Sequence, residues 1–270
     1  YGYRLVDWLA EYFENIDEYQ VLPSIEPGDI REMLPDSAPE EAESMEEIIA
    51  DLDRVVMPGM AHWQHPGWYA FFPSGVSPVS ALGEFVAAGL ATQGMMWSTA
   101  PSATEIENTV LDWLVDLLGL PSSWRIDKGP GGGVIQMSAS DSTHLSLAVA
   151  RYQWELSGVD TNLLVAYGSS QAHSSIEKGA RVAGYRHIRS VPVTQSFGMD
   201  ADSLAEMIKN DIDSGLVPAW ICSAVGTTNT TAMDPIRSIA VIAKQNRMWH
   251  HADAAYAGSA MICPEFRELQ

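Results

Sequence analysis

Four short apolar runs separated by stretches of helix length constrain this chain more than any other feature. They read NLLVAY (162–167), HIRSVPV (187–193), AWICSAVG (219–226) and MWHHADAA (248–255), and residues 202–210 and 236–244 between them carry helical patterns. Short runs rich in β-branched and aromatic residues predict buried strands, and strands separated by helices need crossover connections. The expected fold class is therefore α/β, a mostly parallel sheet flanked by helices. In such sheets ligands bind at the carboxyl ends of the strands.

Upstream the pattern changes. PSATEIENTVLDWLVDLLGLP (101–121) predicts a helix, with Ser102 and Glu105 as a capping box, Ile106, Val110, Trp113, Leu114 and Leu117 as its stripe, and Gly119 with Pro121 ending it. At the start, Leu5, Trp8, Leu9, Tyr12, Phe13 and Ile16 recur at i, i+3, i+4 spacing and make one apolar face. A proline-rich, acidic stretch (21–45) follows with no core of its own. Residues 1–78 are expected to be a helical and extended segment that embraces the main body or a second subunit, and residues 79–270 to be the α/β domain.

Composition excludes several partners. The 270 residues carry 15 Lys and Arg against 35 Asp and Glu, a formal charge of −20, and such a field repels nucleic-acid backbones and anionic lipid surfaces. The same acidity is compatible with a salty habitat. Cys222 and Cys263 provide neither a disulfide framework nor a paired metal motif, which fits a reducing compartment. Charges at Arg4, Asp7, Glu11 and Glu14 exclude a signal-peptide core near the start, and Glu84 with several glycines breaks the longest weakly polar stretch, so no membrane span is expected. A cytoplasmic location is expected.

Chemistry concentrates where the strands end. Asp253 closes the last apolar run, and a buried acid needs a cationic or hydrogen-bonding partner. Gly226-Thr227-Thr228 ends the run before it, and GSSQAHSS follows the first. Glycines at 129 and 131–133 lead to Ser138-Ala139-Ser140 ahead of another helical pattern, where free amides and a positive dipole end suit a phosphate. A ligand with a phosphate at one end and a protonatable ring nitrogen at the other satisfies both features, and pyridoxal 5′-phosphate has that form. A metal is not expected, because His250 and His251 alternate across a strand and only one of them can share an ion with Asp253.

Five stretches in order, MPGMAHWQHPGWYAFFPS, GGGVIQMSASDSTHLSLAVAR, AYGSSQAHSSIEKGARVAG, GTTNTTAMDPI and HADAAYAGSAMICPEFR, resemble the motifs of the group II pyridoxal-phosphate decarboxylases, nearest to those acting on aromatic L-amino acids. The resemblance runs from the first helix to Gln270 and implies a fold-type-I transferase-like architecture. It implies a homodimer with active sites at the subunit interface and the N-terminal helix as a clasp. By the same resemblance Asp253 holds the pyridine nitrogen, His173 stacks on the ring, Ala139 and Ser140 bind the phosphate and Thr228 lies near the ring hydroxyl. Trp63, Phe71, Phe72 and Pro73 line the side-chain pocket, Ser74 meets the substrate carboxylate and Met95 reaches across the interface. Phe71 and Met95 depart from residues common among relatives, which implies a permissive or indole-favouring pocket.

The family's Schiff-base lysine has no match among Lys128, Lys178, Lys209 and Lys244, so the sequence reads as a portion of a longer enzyme. The implied reaction is decarboxylation of an aromatic L-amino acid to its amine and carbon dioxide. Rival readings are a decarboxylating aldehyde synthase, a decarboxylase of acidic amino acids and a non-catalytic fragment without the lysine.

Overall fold

The computed structural model describes residues 1–71 and 75–269, and the chain divides into two compact units, Tyr1–Thr92 and Gln93–Gln270. In the first unit, α1 (Gly2–Glu14) follows the predicted stripe yet has no fully buried residue. It is held partly by Tyr12, whose hydroxyl lies 3.0 Å from His62 Nδ1, with the Tyr19 ring against the same histidine. Then come α2 (Asp29–Glu32), α3 (Met45–Asp51) and α4 (Pro78–Gly89). Ser44 and Glu47 close a capping box on α3, and Ser77 caps α4 with Pro78 in its first position, where a missing N–H costs nothing. Leu5, Leu9 and Phe13 of α1 and Leu82 and Phe85 of α4 line an open apolar groove of about 590 Å³.

The second unit begins with α5 (Pro101–Leu117), which corrects the expected cap. The N-cap is Ala100 with no side-chain hydrogen bond, Pro101 takes the first position, and Glu105 instead accepts a hydrogen bond from the Trp97 indole N–H at 2.9 Å. The expected stripe also stays largely uncovered in this chain, since Ile106, Trp113 and Leu117 are exposed while Asp112 and Val115 are buried. Asp112 turns inward because its carboxylate accepts the Ile126 amide at 2.8 Å. Gly119, at φ +68, follows the helix end as a left-handed cap.

Next follow α6 (Ala139–Leu156), β1 (Leu164–Ser169), α7 (Ser175–Val182), β2 (His187–Val191), α8 (Ala201–Asp213), β3 (Val217–Ala224), α9 (Ile236–Gln245) and β4 (Trp249–Asp253). All four strands pair in parallel in the order β2-β1-β3-β4, as the alternating pattern predicts. Side chains alternate across them, so each face packs its own helices. Leu164, Ala166, Trp220 and Cys222 meet Leu147, Ala150, Ile176 and Ala180 of α6 and α7. Val165, Tyr167 and Ile221 meet Leu204, Ile208, Ile239 and Ala243 of α8 and α9. On that second face the buried Asp211 accepts from Tyr167 Oη at 2.7 Å and Arg189 Nη2 at 2.6 Å, tying α8 to β1 and β2. Among the described residues no helix is long and apolar enough to cross a membrane.

Candidate active site

The strand order creates one topological switch. From β1 the chain moves outward to β2, then returns to place β3 on the other side of β1 and β4 beyond it. The loops leaving β1 and β3 therefore diverge, and the crevice between their carboxyl ends is where an open parallel sheet accepts a ligand. His173 lies on the loop after β1, Thr228 on the loop after β3, and Asp253 ends β4.

Asp253 pairs in register with Ala224, which shares a strand face with Trp220 and Cys222, so its side chain stands on the α6 and α7 side of the sheet. It is half-buried, and its Oδ1 accepts the Ala255 amide at 3.2 Å. A carboxylate has room for further donors beyond that one bond. The β3 end is clamped around it: Val225 N–H donates to Asp253 O at 2.8 Å, and the Ala257 amide donates to Val225 O at 3.1 Å. Gly226 holds φ +84, and a Cβ there would sit 2.3 Å from the Tyr256 ring, so only glycine allows this turn to lie under that ring. Thr227 is buried, with Oγ1 2.6 Å from Thr230 Oγ1, and Thr228 turns outward. At the base of this loop Asp234, nine-tenths buried or more, accepts the amides of Met199 and Ala224, both at 2.7 Å.

On the same face, α6 presents its N-terminus. Ser138 is the N-cap, its Oγ accepting the Asp141 amide, and Ala139 and Ser140 are the first two helical residues. Helix geometry leaves their amides without intrahelical acceptors, with the positive dipole end behind them. His173 stands two residues ahead of α7, where its Nδ1 accepts the Ser175 amide at 3.2 Å and meets Ser175 Oγ at 3.0 Å. That bond requires an unprotonated Nδ1, which leaves the exposed Nε2 to carry the ring proton.

The aromatic candidates fall in the first unit. Trp63 stacks on Trp68 with centroids 4.6 Å apart and lies 6.0 Å from Phe71, while Phe71 is 82% exposed at φ +56, a strained backbone for a bulky residue. Phe72, Pro73 and Ser74 lie outside the described residues. Met95 belongs to the second unit and is 76% exposed.

Two residues missed as site elements by sequence reasoning stand out. Thr143, in the second turn of α6, donates to Ala139 O at 3.1 Å, and its Oγ1 lies 3.3 Å from His251 Nε2 on β4. The His251 ring in turn stacks 5.7 Å from Trp220. His250 faces the opposite side of the sheet and meets Ser223 Oγ at 2.7 Å, so the two histidines separate as a strand demands. No cluster of three or more metal-ligating side chains occurs among the described residues.

Burial holds His62, His250 and His251 below the ordinary histidine pKa. A depressed folded pKa means that, as pH falls through about 6.5, the unfolded chain takes up protons the folded chain refuses, so stability is lost on acidification. Burial raises the Asp234 carboxyl and opposes this in part, since that group takes its proton earlier when folded. The urea midpoint is expected to be lower at about pH 5.5 than at about pH 7.5, and His250→Gln with His251→Gln to flatten the difference. A midpoint that rises on acidification would contradict this.

Residues 27–270 match the pyridoxal-dependent decarboxylase conserved domain. The chain is 42% identical to L-tyrosine/L-DOPA decarboxylase 2 of Lophophora williamsii over 99% of its own length and 52% of that protein. It is 41% identical to phenylacetaldehyde synthase of Arabidopsis thaliana over 99% of its length and 56% of that protein. The crystal structure of Catharanthus roseus tryptophan decarboxylase in complex with L-tryptophan superposes with a TM-score of 0.93 at 41% identity, covering 99% of this chain and 59% of that one. The chain thus spans about half the length of the curated relatives it matches. A match over nearly the whole chain, on a parallel sheet with this strand order, establishes that this chain belongs to the pyridoxal-dependent decarboxylase family.

Proposed function

We propose that the chain binds pyridoxal 5′-phosphate and serves the decarboxylation of an aromatic L-amino acid to its amine and carbon dioxide, in a cytoplasmic homodimer. The observation that carries this reading is the arrangement on one sheet face of a carboxylate at the end of β4 and an uncapped pair of amides at the start of α6. The residues fit the cofactor: Asp253 offers an anion to a protonated ring nitrogen, and Ala139 and Ser140 offer amides and a hydroxyl to a phosphate. When bound, the cofactor supplies a positively charged ring that draws off the electron pair released as carbon dioxide leaves.

The chain's own residues do the rest. Asp253 keeps the proton on the ring nitrogen, which a neutral side chain there would not do. His173, fixed by Ser175, keeps an imidazole N–H at the crevice for the ring face and the carboxylate to be lost. Thr228 presents its hydroxyl to the ring hydroxyl. Trp63 and Phe71, with Phe72 and Pro73, favour an aromatic side chain through stacking, Ser74 receives the substrate carboxylate and Met95 comes from the partner subunit. We assign covalent attachment to none of the four lysines: Lys209 and Lys244 sit on α8 and α9, which cover the other face, Lys178 is exposed on α7, and Lys128 is exposed on the segment between α5 and α6.

The homodimer reading rests on the apolar groove of α1 and α4 and on the exposed stripe of α5, apolar surfaces of the kind that a partner subunit covers. The relatives include a decarboxylase and an aldehyde synthase, and we favour the amine product. The test uses stable reduced conjugates of the cofactor with amino acids, which need no lysine. Phosphopyridoxyl-tryptophan and phosphopyridoxyl-tyrosine are expected to bind at least about tenfold more tightly than phosphopyridoxyl-glutamate. Sedimentation is expected to report twice the chain mass. Equal binding of the glutamate conjugate would remove the aromatic reading, and product analysis showing aldehyde with peroxide would replace the amine.

A further inference from the structure

We infer that the Thr143–His251 hydrogen bond is a spacer that sets the distance between the two ends of the cofactor site, making both side chains positioning residues. This rests on the reading that Ala139 and Ser140 hold a phosphate and Asp253 a ring nitrogen. The two anchors sit on separate elements, a helix and a strand, whose separation no backbone ladder fixes. The ligand that must reach both is short and stiff, and a site of this kind tolerates only about half an ångström of error.

α6 packs on this face of the sheet through Leu147 and Ala150, and among the described residues one side-chain hydrogen bond ties it directly to β4, close to both anchors. Thr143 is 1% exposed and lies one turn below Ala139, to whose carbonyl its hydroxyl donates at 3.1 Å. His251 lies two residues before Asp253 on the same face of β4. Thr143 Oγ1 and His251 Nε2 are 3.3 Å apart. A threonine hydroxyl has one proton, and with that proton on Ala139 O the imidazole must bring its own, so His251 donates from Nε2. Trp220 stacks on the ring 5.7 Å away at 22° and donates its indole N–H to Ser146 of α6 at 3.1 Å, which keeps the imidazole from swinging off its partner. A bond carried by a neutral, stacked and half-buried ring is rigid in a way an exposed ion pair is not.

The test compares three probes: pyridoxamine 5′-phosphate, which reaches both ends and forms no Schiff base, and pyridoxamine and inorganic phosphate, which each reach one. His251→Phe keeps the stacked ring and loses the donor, and Thr143→Val keeps the shape and loses the hydroxyl. Each is expected to weaken pyridoxamine 5′-phosphate about tenfold by calorimetry, and the double variant no more than either alone, because both remove one bond. His251→Gln, whose amide nitrogen stands near the place of Nε2, and Thr143→Ser are expected to stay within about threefold of wild type. Pyridoxamine and phosphate alone are expected to bind all variants equally.

If all three probes weaken together, the bond is a folding contact and the spacer inference falls. It falls also if His251→Phe and Thr143→Val bind pyridoxamine 5′-phosphate as wild type does, and then the cofactor reading stands untouched. Wild type that binds none of the three overturns both.

Discussion

Replacing Asp253 by alanine is expected to lower the affinity of this chain for pyridoxamine 5′-phosphate by about a hundredfold, ~2.7 kcal/mol. Truncating one partner of a hydrogen-bonded charge pair costs about 2–5 kcal/mol, and the lower part of that range applies because Asp253 is half-buried rather than sealed from water. Asp253→Asn should lose nearly as much, since it keeps the shape and removes the charge that favours a protonated ring nitrogen. Inorganic phosphate should bind both variants as wild type, because the α6 end is untouched. The fold should also survive: Asp253 accepts the Ala255 amide at 3.2 Å, and losing one such bond at a half-exposed site costs about 1 kcal/mol or less. Calorimetry with the two ligands and urea unfolding separate these effects. Undiminished binding by Asp253→Asn would show that the carboxylate has another partner and remove the central pairing of the proposed function.

Most of the sheet was legible because strand burial writes itself into composition. The runs at 162–167, 187–193, 219–226 and 248–255 became β1 to β4 with ends shifted by a few residues, and the helices between them came out in the expected places. What failed was local competition. At the start of α5 Ser102 and Glu105 have capping-box spacing, but Pro101 is already pre-set for the first helical turn, so the helix begins two residues earlier than that box requires and Glu105 goes to Trp97. The exposed stripe of α5 shows a second limit: periodicity reveals that a face is apolar, not what covers it.

The site divided along the same line. The positions of Asp253, Thr228 and His173 at strand ends could be read because each closes or follows an apolar run that is visible in sequence. Thr143 was passed over, and His251 was weighed only as a metal ligand, because their meaning lies in a contact across 108 residues. Taken alone, each is a mid-helix threonine and a strand histidine, and neither residue type in that place signals anything. The one available sign was parity: His251 shares a face with Asp253, and α6 is the helix whose start suits a phosphate.

Trp220→Ala is expected to carry the largest stability loss in the second unit, about 4 kcal/mol, from the cost of deleting a buried tryptophan together with the cavity left behind. Trp220 is fully buried at the centre of the sheet, paired with Ala166 on one side and Trp249 on the other, and its indole N–H reaches Ser146 at 3.1 Å. Domains of this kind are stable by only about 5–15 kcal/mol, so the variant should unfold at a much lower urea concentration with an unchanged slope. Trp220→Phe keeps a ring beside His251 and forfeits the indole hydrogen bond and some volume, for an expected cost of about 1–2 kcal/mol. The pair also separates two roles of this residue. If Trp220 acts on the ligand only by steadying the His251 ring, Trp220→Phe should lose stability yet bind pyridoxamine 5′-phosphate within about threefold of wild type. A Trp220→Ala cost below about 1 kcal/mol would mean that the sheet is not packed around this side chain, and the rigid link between β4 and α6 would lose its support.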